Sequence, residues 1–270
     1  MDILQKLHTL VDASAQLPGA RYLVEASYLK TFIANRDQNL FHGVYDSFEA
    51  AEAQAGEYGV AGYDNEASAD IYLDHMRVDA HDYPSMFWLD RSFQEGMRSV
   101  FDVGGSIGIK YYAFAKTVPC PDDVRWTVED VPAVVAKGRQ LALQRGVLDA
   151  LHFTDLMTAG IGTDILFASG SLQYLPRTLP QYLGEWSKLP RRILINITPI
   201  HSAQSFFTVN SIGTAFCPYR VQTQASLVRE LSPLGYKMRD HWLNRGKHMQ
   251  LPLNPELSLD HYSGYCFDLA

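Results

Sequence analysis

From Arg98 onward the chain alternates short apolar segments with helical ones, a rhythm that predicts an α/β fold: a doubly wound, mainly parallel sheet with helices on both faces. Two further observations support it. The run Val100-Phe-Asp-Val-Gly-Gly-Ser-Ile-Gly108 places three glycines within five residues directly behind a segment of high β-propensity. The Lys-Tyr-Tyr-Ala-Phe-Ala segment after it reads as helix. Strand, tight glycine turn and helix is the arrangement by which such a sheet brings its backbone against a nucleotide-like ligand.

Residues 1–95 carry helical patterns without βα alternation. Leu4, Leu7, Leu10 and Val11 recur at helical spacing. Tyr45-Asp-Ser-Phe-Glu-Ala-Ala-Glu-Ala-Gln-Ala has a capping Asp or Ser, a first-turn Glu and then alanines, which marks a helix start. Gly56 to Ser68 reads as a loop. Asp82-Tyr-Pro-Ser-Met-Phe-Trp-Leu opens on a turn and enters an aromatic-rich helix leading to the first strand. Beyond it, strands are expected at 98–103, 124–129, 149–153, 163–169 and 191–197, and helices at 107–117, 132–145, 176–189 and 222–233. Gly235-Tyr-Lys-Met-Arg-Asp-His-Trp and His261-Tyr-Ser-Gly-Tyr-Cys-Phe-Asp follow without a convincing helix between them, and two final strands paired antiparallel would fit. The expected division is 1–95, an N-terminal helical region, and 96–270, a nucleotide-binding domain.

The chain has 270 residues, 47% of them hydrophobic and 20% charged, enough to bury a sizeable core. Its net charge of −7, without a Lys/Arg cluster, argues against a nucleic-acid partner. No apolar run approaches the ~20 residues that span a bilayer, and the Met1-Asp-Ile-Leu-Gln-Lys start has no signal-peptide pattern. Cys120, Cys217 and Cys266 are odd in number and widely spaced, so reduced thiols and a cytoplasmic location are expected.

Ligands of doubly wound sheets lie at the carboxyl ends of the strands. The first strand presents Asp102 and then Gly104, Gly105, Ser106 and Gly108, a turn that either cradles a ligand or only packs helix on strand. The second ends in Glu129 and Asp130 before Val131-Pro132. A carboxylate there suits a ribose diol, and Asp130 equally suits the start of a helix with Pro132 in its first turn. The third ends in Asp155, which is also an ordinary turn residue. The fourth is followed by Ser169, Gly170, Ser171, Gln173 and Tyr174, small and polar side chains that line a cleft without filling it. A dinucleotide fingerprint would space its glycines G-x-G-x-x-G with an acid about 20 residues later, and that spacing is absent.

The acid-first pattern Asp102-x-Gly104-x-Ser106-x-Gly108 resembles the first motif of the class I S-adenosylmethionine-dependent methyltransferases, with serine at the middle glycine. Asp102-Val-Gly-Gly-Ser-Ile-Gly, Trp126-Thr-Val-Glu-Asp-Val-Pro and Ser169-Gly-Ser-Leu-Gln-Tyr-Leu further resemble a bacterial methyltransferase family whose substrates are largely unassigned. The likeness extends to Gly43-Val-Tyr-Asp-Ser-Phe-Glu-Ala-Ala, Asp82-Tyr-Pro-Ser-Met-Phe-Trp-Leu, Ile212-Gly-Thr-Ala-Phe-Cys-Pro-Tyr-Arg and Tyr262-Ser-Gly-Tyr. The resemblance implies a Rossmann-like class I methyltransferase fold, with a seven-stranded, mostly parallel sheet whose last strand is antiparallel, plus an N-terminal helical cap that selects the acceptor. It implies S-adenosylmethionine, or a close analogue, as cofactor. Asp102 would hold the amino-acid end, Asp130 the ribose and Asp155 the adenine, with Tyr83, Val131 and the Ser169–Gln173 segment completing the site. The acceptor is a small or carrier-attached molecule methylated at oxygen, sulfur or nitrogen, and a homodimer is left open.

Methyl transfer is an in-line displacement, so the protein chiefly aligns donor and acceptor and removes a proton where the acceptor is a neutral hydroxyl. His201, after the fifth strand, is the candidate base, with an ordinary loop histidine as the alternative, and Tyr174 is a second catalytic candidate. Tyr219, Arg220 and His42 are candidates for the acceptor pocket. Arg220 would also suit a carboxylated cofactor analogue used for carboxymethyl transfer. Tyr111, Tyr112, Phe206 and Phe207 read as core or pocket wall. His75, His81 and Asp82 lack a metal-ligand spacing, and no metal is expected. A non-catalytic scaffold and a nicotinamide-dependent oxidoreductase are the competing readings.

Overall fold

A computed structural model describes residues 21–62, 64 and 76–270. The pattern around Leu4, Leu7, Leu10 and Val11, residues 63 and 65–68 of the loop expected from Gly56 to Ser68, and His75 lie outside the described residues. Strands are numbered β1 to β10 and helices α1 to α7 along the chain. Two compact units form: one from Met1–Tyr63, Pro199–Thr223 and Lys247–His261, the other from Asp64–Thr198, Gln224–Gly246 and Tyr262–Ala270. They do not coincide with the expected stretches 1–95 and 96–270, because strands from both ends of the sequence share one sheet.

That sheet belongs to the first unit. β1 (Leu40–Tyr45) pairs antiparallel with β7 (Phe206–Ser211), which pairs antiparallel with β8 (Phe216–Val221). The N-terminal region is therefore not purely helical, and Phe206 and Phe207 are strand residues. Helix α1 (Arg21–Ile33) and helix α2 (Phe48–Tyr58) pack on this sheet through Tyr28, Phe32, Ala51 and Ala55. The expected start of α2 is correct: the Ser47 side chain accepts the Ala50 amide at 3.1 Å. Its end is later than expected, since Gly56 is helical and Gly59 forms the cap.

The second unit begins with a single 3₁₀ turn, Ala80–Asp82, and α3 (Tyr83–Gln94). Then come β2 (Ser99–Val103), α4 (Ile109–Phe114), β3 (Arg125–Glu129), α5 (Pro132–Arg145) and β4 (Leu151–Thr154). They are followed by β5 (Ile165–Ser169), α6 (Leu179–Leu183), β6 (Arg192–Thr198), α7 (Gln224–Leu231), β9 (Tyr236–Asn244) and β10 (Tyr262–Leu269). All five expected core strands are present. The helix expected at 176–189 is confined to five residues between the Thr178–Gln181 capping box and Gly184.

The seven strands lie in the order β4-β3-β2-β5-β6-β10-β9. β2 to β6 are mutually parallel, while β10 runs antiparallel to both β6 and β9. The central strands are buried on both faces, which is why they read as continuous apolar runs. From β2 the chain winds outward through β3 and β4, then returns to β5 on the other side of β2. The order reverses between β2 and β5, the place where a doubly wound sheet opens a crevice at its carboxyl edge. Among the described residues no helix is long and apolar enough to cross a membrane.

Candidate cofactor site

At the carboxyl end of β2, Asp102 is 1% exposed and accepts the Trp126 Nε1–H at 3.0 Å. Burial pushes its carboxyl up to about 7, only partly offset by Trp126. The turn that follows closes over this carboxylate. A Cβ on Gly105 would lie 2.5 Å from Asp102 Cγ, and one on Gly104, whose φ is +64°, would lie 2.4 Å from Ser171 Cβ. Glycine is thus dictated at both positions by close approach. Ser106 takes the left-handed region, φ +55°, where glycine is favoured and where the resembled motif carries it. Its amide donates to Asp130 Oδ2 at 2.8 Å, a bond that fixes the turn to the end of β3.

Asp130 also accepts the Val131 amide on Oδ1 at 2.8 Å. It is not the N-cap of α5. Val131 occupies that position, and Asp64 Oδ1 accepts the Ala133 amide at 3.0 Å. Two amides thus orient the Asp130 carboxylate and leave each oxygen a further lone pair for a diol. Burial pushes Asp130 up to about 6 and, with repulsion from Asp130 added, Glu129 up to about 7. Asp155 follows β4, stays exposed, and adds to the repulsion on Glu129. Three crowded acids at the ends of β2 and β3 make a setting that a cation would relieve.

At the end of β5 the Gly170 amide bonds Asn196 O at 2.9 Å, Ser171 Oγ donates to Val103 O, and Gln173 Nε2 donates to Gly170 O at 2.7 Å. Ser106 Oγ, Ser169 Oγ and Gln173 Oε1 are buried without a hydrogen-bond partner among the described residues. An unmatched buried polar group costs about 1–3 kcal/mol. Three of them on the two loops flanking the crevice fit a polar, nucleoside-like ligand. Tyr174 closes the 3₁₀ turn Leu172–Tyr174 at intermediate exposure. Tyr83 opens α3 with 62% of its surface exposed.

The sequence reading weighed Asp82 only as a metal ligand and did not pair it with Lys110. Lys110 Nζ lies 2.7 and 2.8 Å from the two Asp82 oxygens, tying the helix after the glycine turn to the start of α3. Asp82 carries no exposed surface, and its place ahead of Tyr83-Pro84 was the one available signal. Asp79, His81 and Asp82 offer ligand atoms within 4.8 Å of one another, but Lys110 already holds both Asp82 oxygens.

His201 requires a correction. Its Nδ1 accepts the amides of Ala203 (3.2 Å) and Gln204 (3.1 Å), and its Nε2 faces Glu256 O at 3.0 Å. With both nitrogens engaged, the ring staples a turn of the first unit and is not free to serve a substrate proton. His42, Tyr219 and Arg220 also belong to the first unit. Tyr219 is buried edge-on to Phe41, and Arg220 stacks over Phe48 and Phe207. His42 Nδ1 pairs with the Tyr58 hydroxyl at 2.9 Å, while burial lowers its pKa.

Compared by sequence, no family model and no curated protein matches the chain. Among solved structures it is similar to Burkholderia thailandensis 1,6-didemethyltoxoflavin-N1-methyltransferase, determined with 1,6-didemethyltoxoflavin and S-adenosylhomocysteine bound. That likeness has a TM-score of 0.51 at 17% identity and covers 84% of this chain and 92% of that one. It is also similar to OxaC in complex with S-adenosylhomocysteine and oxaline, with a TM-score of 0.50, 15% identity, and coverage of 83% of this chain and 54% of that one. The chain has the Rossmann-like class I methyltransferase fold.

Proposed function

We propose that this chain is an S-adenosylmethionine-dependent methyltransferase acting on a small or carrier-attached molecule. The observation that carries the proposal is the Ser106 amide bond to Asp130 Oδ2. It joins the glycine turn and the second-strand acid into one cradle, beside buried oxygens without a partner among the described residues. The fold supports it, since both similar structures hold S-adenosylhomocysteine. The resemblance of the motif strings to bacterial methyltransferases of largely unassigned substrate is what supports the narrower family reading.

When bound, the cofactor supplies a methyl group on a positively charged sulfur. The chain's own residues bind and orient. Asp130, held by two amides, would accept from the ribose hydroxyls, and the Gly104–Ser106 backbone would receive the amino-acid end beside Asp102. Ser169 and Gln173 offer their unmatched oxygens. Because His201 is committed to its turn, alignment carries the catalysis, and Tyr174 is the remaining candidate for handling an acceptor proton.

Calorimetric titration with S-adenosylmethionine, S-adenosylhomocysteine and NADH tests the proposal. Saturable 1:1 binding of the first two, weakened in Asp130→Ala, is the expected outcome. Binding of NADH alone, or of none of the three, overturns it.

A further inference from the structure

Strand β6 is irregular where it reaches the crevice. Ser263 of β10 pairs with Thr198, and Tyr265 pairs with Ile195, so β6 advances three residues while β10 advances two. The extra residue makes a bulge at Asn196 and Ile197. Ile197 adopts φ +52°, a conformation in which a β-branched residue is a genuine outlier. It is also the one residue of β6 that is not fully buried. Its Cβ and Cγ2 lie 3.8 Å from the point where Gly170 would carry a Cβ, so the side chain covers the end of β5 beside Ser169.

The bulge is held from several directions. Asn196 Nδ2 donates to His81 O at 3.1 Å, while Asn196 Oδ1 accepts from Trp242 Nε1 at 3.1 Å and Asn244 Nδ2 at 2.9 Å. The Asn196 carbonyl takes the Gly170 amide at 2.9 Å. Strained conformations persist only where the surroundings over-determine them, and bulges near active sites re-aim a side chain. Packing alone would have been served by a regular strand.

We propose that Ile197 is an apolar wall of the methyl-transfer position: its side chain touches the transferred methyl group and favours acceptors that present an apolar carbon skeleton beside the nucleophilic atom. Small-molecule pockets combine such apolar walls with a few fixed polar groups, here Ser169 and Gln173. The inference rests on the cofactor reading above and goes beyond it by assigning an acceptor-side residue.

The test uses the whole chain, labelled with ¹³C at isoleucine methyls, and S-adenosylmethionine carrying a ¹³C methyl. A nuclear Overhauser contact between the sulfonium methyl and Ile197 is expected. In Ile197→Ala the sulfonium methyl resonance should move by more than its line width, while the dissociation constant changes less than about threefold, under ~0.7 kcal/mol. Saturating binding without that contact overturns the inference and leaves the cofactor reading intact, and the wild-type measurement decides this even if the variant does not fold. A folded wild-type chain that binds no S-adenosylmethionine overturns both.

Discussion

Asp102→Asn tests the electrostatic reading of the site without altering its shape. Asparagine keeps an oxygen for the Trp126 Nε1–H, 3.0 Å away in the wild type, and removes only the ionisation. The wild-type carboxyl stands at 3.8 when free and is pushed up to about 7 by burial in the fold. A carboxyl raised on folding contributes stability that is complete below the unfolded value and is lost as pH climbs through the folded one. At 1.36 kcal/mol per unit, the linkage between these two values removes about 3 kcal/mol between pH 5 and pH 8. Glu129 and Asp130 slope the same way in both proteins, so the difference between the two curves reports Asp102 together with its repulsion of these two acids. Urea titrations at pH 5, 6, 7 and 8 would measure it. The variant is expected to gain on the wild type steadily across that range and to be the more stable protein at pH 8. Parallel curves, or a variant less stable at pH 8, would refute the claim that this acid is held against its ionisation.

The same crowding makes cofactor binding pH-dependent: a positively charged ligand should bind more tightly at pH 8 than at pH 5.5, by calorimetry, as Asp102, Glu129 and Asp130 ionise. Asp130→Ala should weaken S-adenosylmethionine binding by about 1–3 kcal/mol, roughly 5- to 150-fold, and unchanged affinity would reduce Asp130 to a brace for the turn. Gly104→Ala combines the φ of +64° with a 2.4 Å clash on Ser171 Cβ, so a loss of about 2–4 kcal/mol is expected in chemical melts, with the steric part recovered in Gly104→Ala/Ser171→Gly. His201→Ala should lower the melting temperature, because the Ala203 and Gln204 amides lose their acceptor, yet leave S-adenosylmethionine affinity within about twofold, under ~0.4 kcal/mol.

What the sequence made legible follows from how local each signal is. The helix start at Ser47 needs only an oxygen three residues from an amide, and the five parallel strands declare themselves as short apolar runs. The sheet of β1, β7 and β8 has no such signature. Leu40 pairs with Ser211, and nothing within either segment announces a partner so far along the chain. The same distinction governs the site. The glycine turn and the acids were readable because close approach and charge restrict residue type. The bonds that hold Asp130 and His201 were not, since they depend on which amides lie beside their lone pairs.

Ser106 shows how a departure from a pattern can be informative once the backbone is known. At the middle glycine of the resembled motif, serine is a misfit, and the φ of +55° confirms that the position demands what glycine supplies. A left-handed serine costs about 1 kcal/mol or more relative to glycine. That cost is tolerated where the residue returns something, and under the proposed function its buried hydroxyl, unmatched among the described residues, would offer the ligand a polar contact that glycine could not. Ser106→Gly separates the two effects. It should stabilise the ligand-free protein by about 1 kcal/mol while weakening S-adenosylmethionine binding by about as much, the net worth of one hydrogen bond. Denaturant melts and calorimetry on the same preparation would show the opposed signs. Stabilisation without loss of affinity would make the serine a neutral replacement and remove its hydroxyl from the binding site.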